Sequence, residues 1–331
     1  MISIVAVAIA LAFAGTAVAQ ETCKGRGELD TPFCDADGDL LADTPTDPKR
    51  QKNPETLLFT NAPLDDAAVF KKLMEPYVEH LGKCIARKVR FYDVFSSAAA
   101  IEALRSGRMH VGSMSSGDTA FAVNVAGAIP FAIRGDASGP QGYQLWVIVK
   151  ADSPFQKLSD LKGKRVAHTT PSSNSGNLAP RSLFPAEGLV PDKDYKVLFS
   201  GKHENSVSGV AAGDFDAAPI AHDILVRMAD RGIVKMADFR IIWKSRNFPP
   251  GGLSMAHDLA PALQQKIREC TYNFRYTPEM VKGFQGADRW LPIDYKKDWE
   301  IVRKVAQDSG QAFTASAFEK EKARAEGAGR K

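Results

Sequence analysis

From residue 54 onward, short apolar runs alternate with stretches of helical period. The pattern predicts strands at 56–60, 88–92, 109–114 and 144–149, with helices at 65–81, 96–106 and 120–126 between them. A second series follows. It has a short helical turn at 159–163 and strands at 164–169, 195–200 and 215–219. The loop 171–176 opens a helix over 178–187, and another helix covers 205–213. A strand at 240–244 then returns the chain toward the first series. From Pro261 onward the chain reads helical, with a charged, frayed tail after Phe318. Alternating strands and helices imply an α/β chain, a mostly parallel sheet and helices on both faces. The expected layout is two doubly wound lobes: 54–142 plus 249–331, and 143–248. Two crossings, near 143 and 248, make a two-strand hinge. Crevices in such sheets lie at the carboxyl ends of strands, where helices begin.

The N-terminus differs. Residues 2–19 carry no charge and end in Ala17, Val18 and Ala19. This is the pattern of a signal peptide over 1–19, cleaved after Ala19, and it predicts an exported, soluble product. The alternative is a membrane anchor, for which the run is short. Four cysteines, Cys23, Cys34, Cys84 and Cys270, then suggest disulfides. Three pairings are open. Cys23 with Cys34 would close a short loop and leave Cys84 with Cys270 to tie distant segments. No C-x-x-C occurs, so zinc and redox chemistry have no support. Across all 331 residues, 43 Lys and Arg stand against 39 Asp and Glu, scattered along the chain. A nucleic-acid binder would gather its basic residues into a stripe, so that partner is not expected.

Residues 20–53 are polar and read as an extension outside the core. Within them Asp35, Asp37, Asp39 and Asp43 place carboxylates at alternate positions around Gly38. Such spacing can wrap one hard cation. The run resembles the calcium-binding Asp loops of thrombospondin type 3 repeats, though it lacks the bidentate Glu of an EF-hand. Calcium here would be structural; a solvated acidic loop is the alternative.

Two further segments share one physical logic. Residues 115–119 (SSGDT) and 172–176 (SSNSG) each follow a strand and open a helix. A helix start offers unpaired N–H groups and partial positive charge, and hydroxyls and amides add donors. Together they make a nest for a tetrahedral oxyanion. Plain N-capping is the competing reading for either loop alone.

The second half carries a family resemblance. Residues 152–167 (DSPFQKLSDLKGKRVA), 171–176 (PSSNSG), 200–206 (SGKHENS), 213–218 (GDFDAA) and 242–245 (IWKS) occur in an order similar to the phosphonate-binding proteins of ABC transporters. The resemblance runs from about 55 to 275. It implies a type II-like periplasmic binding protein fold and capture of a small oxyanion for an inner-membrane permease. It also implies a monomer in the periplasm, with no cofactor for activity. It puts oxygen ligands on Ser173, Asn174, Ser175 and His203, with Ser115, Ser116 and Thr119 in the first lobe. Tyr143 would contact the organic end and Asp223 a ligand amine, which makes 2-aminoethylphosphonate the expected ligand. A second amine-binding carboxylate would fall at Gly251, which cannot serve; Glu204 or Asp118 would have to compensate. Phosphite or phosphate capture and ligand sensing for a receptor are alternatives. A secreted phosphoester or phosphonate hydrolase fits least. The sequence has no G-x-S-x-G, no H-E-x-x-H and no full Walker loop.

Overall fold

A computed structural model of the chain describes Cys23, residues 25–61 and residues 67–328. The segment expected to be a signal, with the cleavage expected after Ala19, and the first two residues of the helix predicted from Asp65 lie outside the described residues.

One lobe is built on a seven-stranded sheet. Thr56–Asn61 pairs in parallel with Lys88–Phe91 on one side and Val111–Ser113 on the other. The rest is antiparallel. Val111–Ser113 meets Gly252–Ala256, which meets Ala128–Asp136, and Arg289–Pro292 and Gly139–Pro140 pair with that strand. The sheet is therefore mixed where a mostly parallel one was expected. The helices Ala67–Ile85, Ser97–Arg105 and Ser116–Ala126 connect its first strands.

Three of these strands escape the sequence pattern for physical reasons. Ala128–Asp136 is buried on both faces and does not alternate. It also contains Pro130, which lies where the register with Leu253 and Ser254 shifts, one of the few places a sheet tolerates proline. Gly252–Ala256 is short and wholly buried. Arg289–Pro292 corrects the helical reading after Pro261: Trp290 turns inward there and packs on Tyr77 and Tyr276.

The chain enters the second lobe at Tyr143 and leaves it at Phe248, residues that face each other in register. Tyr143–Lys150 is flanked antiparallel by Phe239–Phe248 and Ala218–Ala221. The parallel pair Arg165–His168 and Lys196–Phe199 joins them through a bridge between Val166 and Ala217. Ala218–Ala221 stands three residues later than the strand expected at 215–219.

The C-terminal segment links the lobes a third time. Helix Glu300–Asp308 packs on Asn174–Leu178 and Ala179–Leu183 of the second lobe. The tail expected to fray after Phe318 instead forms helix Ala315–Ala328, with Phe318 buried and Glu321 only 9% exposed. The extension is also more than a solvated arm. Leu29, Phe33 and Ala42 are buried in the core, and Asp30 N donates to Asn124 O at 2.8 Å. The cysteines pair as Cys23–Cys34 and Cys84–Cys270. The second bridge spans 186 residues, worth about 5 kcal/mol in the chain-entropy model.

Candidate functional site

A cavity of about 70 Å³ lies between the lobes. Ser115 and Ser116 reach it from the first lobe; Ser173, Asn174, Ser175, His203 and Asp223 reach it from the second. Tyr143 lines it at the crossing, as does Gly251. Thr119 does not. It lies fully buried one turn into its helix, and Ser113 takes a place on the wall instead. By Thr119 the helix has completed its first turn, with Thr119 N donating to Ser115 O at 2.8 Å, which carries the side chain into the core and away from the wall.

Ser115 caps helix Ser116–Ala126. Its Oγ accepts from Asp118 N at 3.2 Å and donates to Asp118 Oδ2 at 2.7 Å. The capping reading of this loop is therefore correct, and it coexists with the cavity wall: a helix's first N–H groups have no intrahelical acceptor. Ser116 Oγ donates to Pro249 O at 2.6 Å, which ties the helix start to the returning crossing. In the second lobe Ser173 plays the same part, with its Oγ accepting from Gly176 N at 3.1 Å. The turn Asn174–Leu178 runs directly into Ala179–Leu183.

Tyr143 joins the two halves. Its Oη accepts from Asn174 Nδ2 at 2.9 Å and lies 3.5 Å from Ser116 Oγ. Burial raises the pKa of its hydroxyl, which therefore stays protonated and able to donate. His203 Nδ1 accepts from Ala221 N at 3.2 Å, and Nε2 lies 3.4 Å from Ser173 Oγ. The backbone amide thus fixes the tautomer, and the neutral ring carries its proton on Nε2.

The lobes are in close contact. A Cβ on Gly117 would lie 2.0 Å from Ser172 O and 3.2 Å from Asn174 N, both in the opposite lobe. Ser172 Oγ lies 2.9 Å from Asp118 Oδ1 and 2.6 Å from Glu321 Oε1, so one hydroxyl faces a carboxylate from each of two first-lobe helices. Gln285 Nε2 donates to Asp223 O at 3.0 Å.

Asp223 does not wait unpartnered for an amine. Its carboxylate accepts from Arg227 Nη1 at 2.9 Å, one turn along helix His222–Asp230. Burial by itself raises this carboxyl, but Arg227 and then Arg134 outweigh it and hold it down at about 2. Neither proposed substitute for a second carboxylate supplies one to the cavity wall. Glu204 pairs with Arg231 at 3.4 Å, and Asp118 is engaged by Ser115 and Ser172. At Gly251 a Cβ would meet Met114 O at 2.0 Å, so no larger residue fits without moving backbone.

Arg134, Arg227, Phe70 and Trp290 also line the cavity and were not singled out from the sequence. Arg227 was readable as the i+4 partner of Asp223. Arg134 and Trp290 lie on strands that the pattern concealed.

Beneath the serine loop, His168 is fully buried between Asn177 Oδ1 (2.9 Å) and Tyr195 Oη (2.8 Å). Burial pushes its ring from the ordinary 6.5 to about 4. The folded state disfavours the imidazolium, so this contribution to stability is complete above pH 6.5 and is lost as pH falls toward 4. His168→Gln is expected to flatten the stability profile across that window, measured by urea unfolding at stepped pH. An unchanged slope would show that His168 does not govern it.

The model of the family described as ABC transporter, phosphonate, periplasmic substrate-binding protein matches residues 59–299. The phosphate-import protein PhnD of Mycolicibacterium smegmatis is 29% identical over 242 residues, covering 69% of this chain and 74% of that protein. The phosphonates-binding periplasmic protein of Escherichia coli is 26% identical over 231 residues, 69% of this chain and 68% of that one. Among solved structures, PhnD1 from Prochlorococcus marinus in complex with methylphosphonate superposes with a TM-score of 0.69 at 17% identity. That match covers 78% of this chain and all of the other, and at this identity it shows the fold. The two-lobed architecture is that of type II periplasmic binding proteins, and no helix among the described residues is long and apolar enough to cross a membrane. With the family model matched over most of its length, the chain belongs to the periplasmic substrate-binding proteins of phosphonate ABC transporters.

Proposed function

We propose that this protein captures a phosphonate between its lobes and delivers it to an inner-membrane ABC permease, after export with a signal cut behind Ala19. One observation carries the reading: two helix starts from opposite lobes, at Ser115 and Ser116 and at Ser173, Asn174 and Ser175, face one small cavity with Tyr143 and His203. A tetrahedral phosphorus group directs its oxygens to different sides, so donors from both halves can be satisfied only when the cleft is shut. Ligand binding then shifts the open–closed equilibrium by its differential affinity for the closed form.

Binding without catalysis is the better reading of the Ser173–His203 contact. A neutral His203 with its proton on Nε2 can donate to a ligand oxygen but cannot accept the Ser173 proton.

At the organic end we depart from 2-aminoethylphosphonate. A ligand ammonium would have to compete with Arg227 for Asp223, and Gly251 offers no second carboxylate. Phe70, Ile224 and Trp290 supply apolar wall there, which suits a small uncharged substituent. Calorimetry on protein refolded free of ligand tests both levels. Methylphosphonate is expected to bind about tenfold more tightly than 2-aminoethylphosphonate, a difference of about 1.4 kcal/mol. The reverse order restores the aminated reading. A preference for phosphate moves the assignment to the import role named for the mycobacterial relative, and a preference for phosphite makes this a phosphite-binding protein. Heat from none of the four defeats the reading altogether. Replacing Ser173 and Asn174 together by Ala is expected to weaken every oxyanion ligand at least tenfold, through donors lost from a buried site.

A further inference from the structure

We propose that the extension holds a divalent-cation site of calcium type, in which Asp35, Asp37 and Asp39 close on one ion. One carboxylate oxygen from each of the three lies within 4.8 Å of the other two. Asp35 supplies the independent sign that something belongs there. It is only 6% exposed, and its Oδ2 accepts from Leu40 N at 3.1 Å. Its Oδ1 is sealed from solvent and has no hydrogen-bond partner. A buried carboxylate oxygen left unpaired carries a desolvation cost that no hydrogen bond to that oxygen offsets. A cation between the three carboxylates would offset it.

The donor set selects the ion. All three ligands are hard, charged oxygens, which suit calcium or magnesium and not zinc or copper. Spacings up to 4.8 Å leave room for an ion that holds oxygens at about 2.3–2.6 Å, the calcium range, where magnesium demands about 2.1 Å. Asp37 and Asp39 are exposed, so the outer positions open to water. Gly38 takes φ +74° between them, where a side chain would be strained. Asp43, expected as a fourth ligand, is used differently. Its Oδ2 accepts from Ala36 N at 2.9 Å and closes the loop on itself.

The position gives the ion a role. Lys296 Nζ donates to Gly38 O at 2.8 Å, from the segment that leads into the C-terminal helices. Phe33, just before the loop, packs edge-on against His257 and would meet any Cβ at Gly127 at 2.6 Å. Gly127, at φ +62°, ends the helix that begins at Ser116. The Cys23–Cys34 bridge closes the same strap. An ion there would fasten the extension behind the helix whose far end faces the cleft.

The test uses the full exported protein after chelation and dialysis. Calcium chloride is expected to raise the melting temperature by several degrees and to give binding heat with a dissociation constant of about 0.1–1 mM or tighter. The double variant Asp37→Asn, Asp39→Asn, which alters only exposed positions, is expected to fold, to lose the calcium shift and to keep its phosphonate affinity within about twofold. No shift and no heat up to about 10 mM calcium overturns the site. So does an equal calcium shift in the double variant, which would locate the ion elsewhere, and so does magnesium matching calcium. Phosphonate titration of the same samples is read separately, so failure here leaves the oxyanion reading standing and the converse also holds.

Discussion

Gly117→Ala is expected to leave the protein folded and to lower ligand affinity about a hundredfold, near 2.7 kcal/mol. The added methyl would lie 2.0 Å from Ser172 O and 3.2 Å from Asn174 N. Both are backbone atoms of the opposite lobe, so neither can swing aside as a side chain could. Within its own lobe Gly117 occupies an ordinary helical position in Ser116–Ala126, where alanine is the better helix former by about 1 kcal/mol. Room can therefore be made only by reopening the cleft. Reopening draws Ser115 and Ser116 away from Ser173 and Asn174, and apparent affinity falls with the fraction of molecules able to close. Calorimetry with methylphosphonate gives the affinity, and the melting temperature of the ligand-free protein gives the control. Full affinity with an unchanged melting temperature would mean that ligand is held in a more open arrangement than the one described.

The second large effect concerns charge. Asp223→Asn is expected to lower stability at pH 7 by about 2 kcal/mol. Its side chain is 16% exposed and its carboxyl is held at about 2, against an ordinary 3.8. A difference of nearly two pH units corresponds to roughly that energy at neutral pH. The sign follows from which form the folded state prefers. Arg227 and Arg134 favour the carboxylate, so the contribution is complete above about pH 4 and disappears as pH falls through 2. The variant should lack this share of the acid loss, since its amide does not titrate, while carboxylates such as Asp216, also held low by its arginine, keep theirs. Urea unfolding between pH 2 and 7 measures both quantities. Equal stability of the two proteins at pH 7 would show that the pair with Arg227 contributes nothing net, as some partly buried ion pairs do.

Much of the site was legible because its chemistry is local. A strand running into serines, glycine and a polar residue is a helix start wherever it occurs, and both loops at 115–119 and 172–176 were found on that basis. The pairing of cysteines was narrowed to three choices, and one of them is present. Periodicity recovered Thr56–Asn61, Lys88–Phe91, Tyr143–Lys150 and the helix from Ser97, since each exposes one face and buries the other, or is apolar and bounded by turns. It failed at Ala128–Asp136, where two buried faces remove the alternation, and at Arg289–Pro292, where only Trp290 is buried and no second inward position marks a strand.

What the sequence determined alone is therefore the set of segments able to act: two capped helix starts, a hinge tyrosine, a histidine, and an acidic loop in the extension. Tertiary structure decided how those segments face one another. It put Thr119 behind the wall and Ser113 on it, and it gave Asp223 an arginine before any ligand arrives. It also brought Glu321 from the end of the chain to Ser172 across the cleft. Capping and periodicity depend on neighbours a few residues away, which a linear reading contains. The distance between Gly117 and Ser172, or the pairing state of a buried carboxylate, depends on residues that only folding makes neighbours.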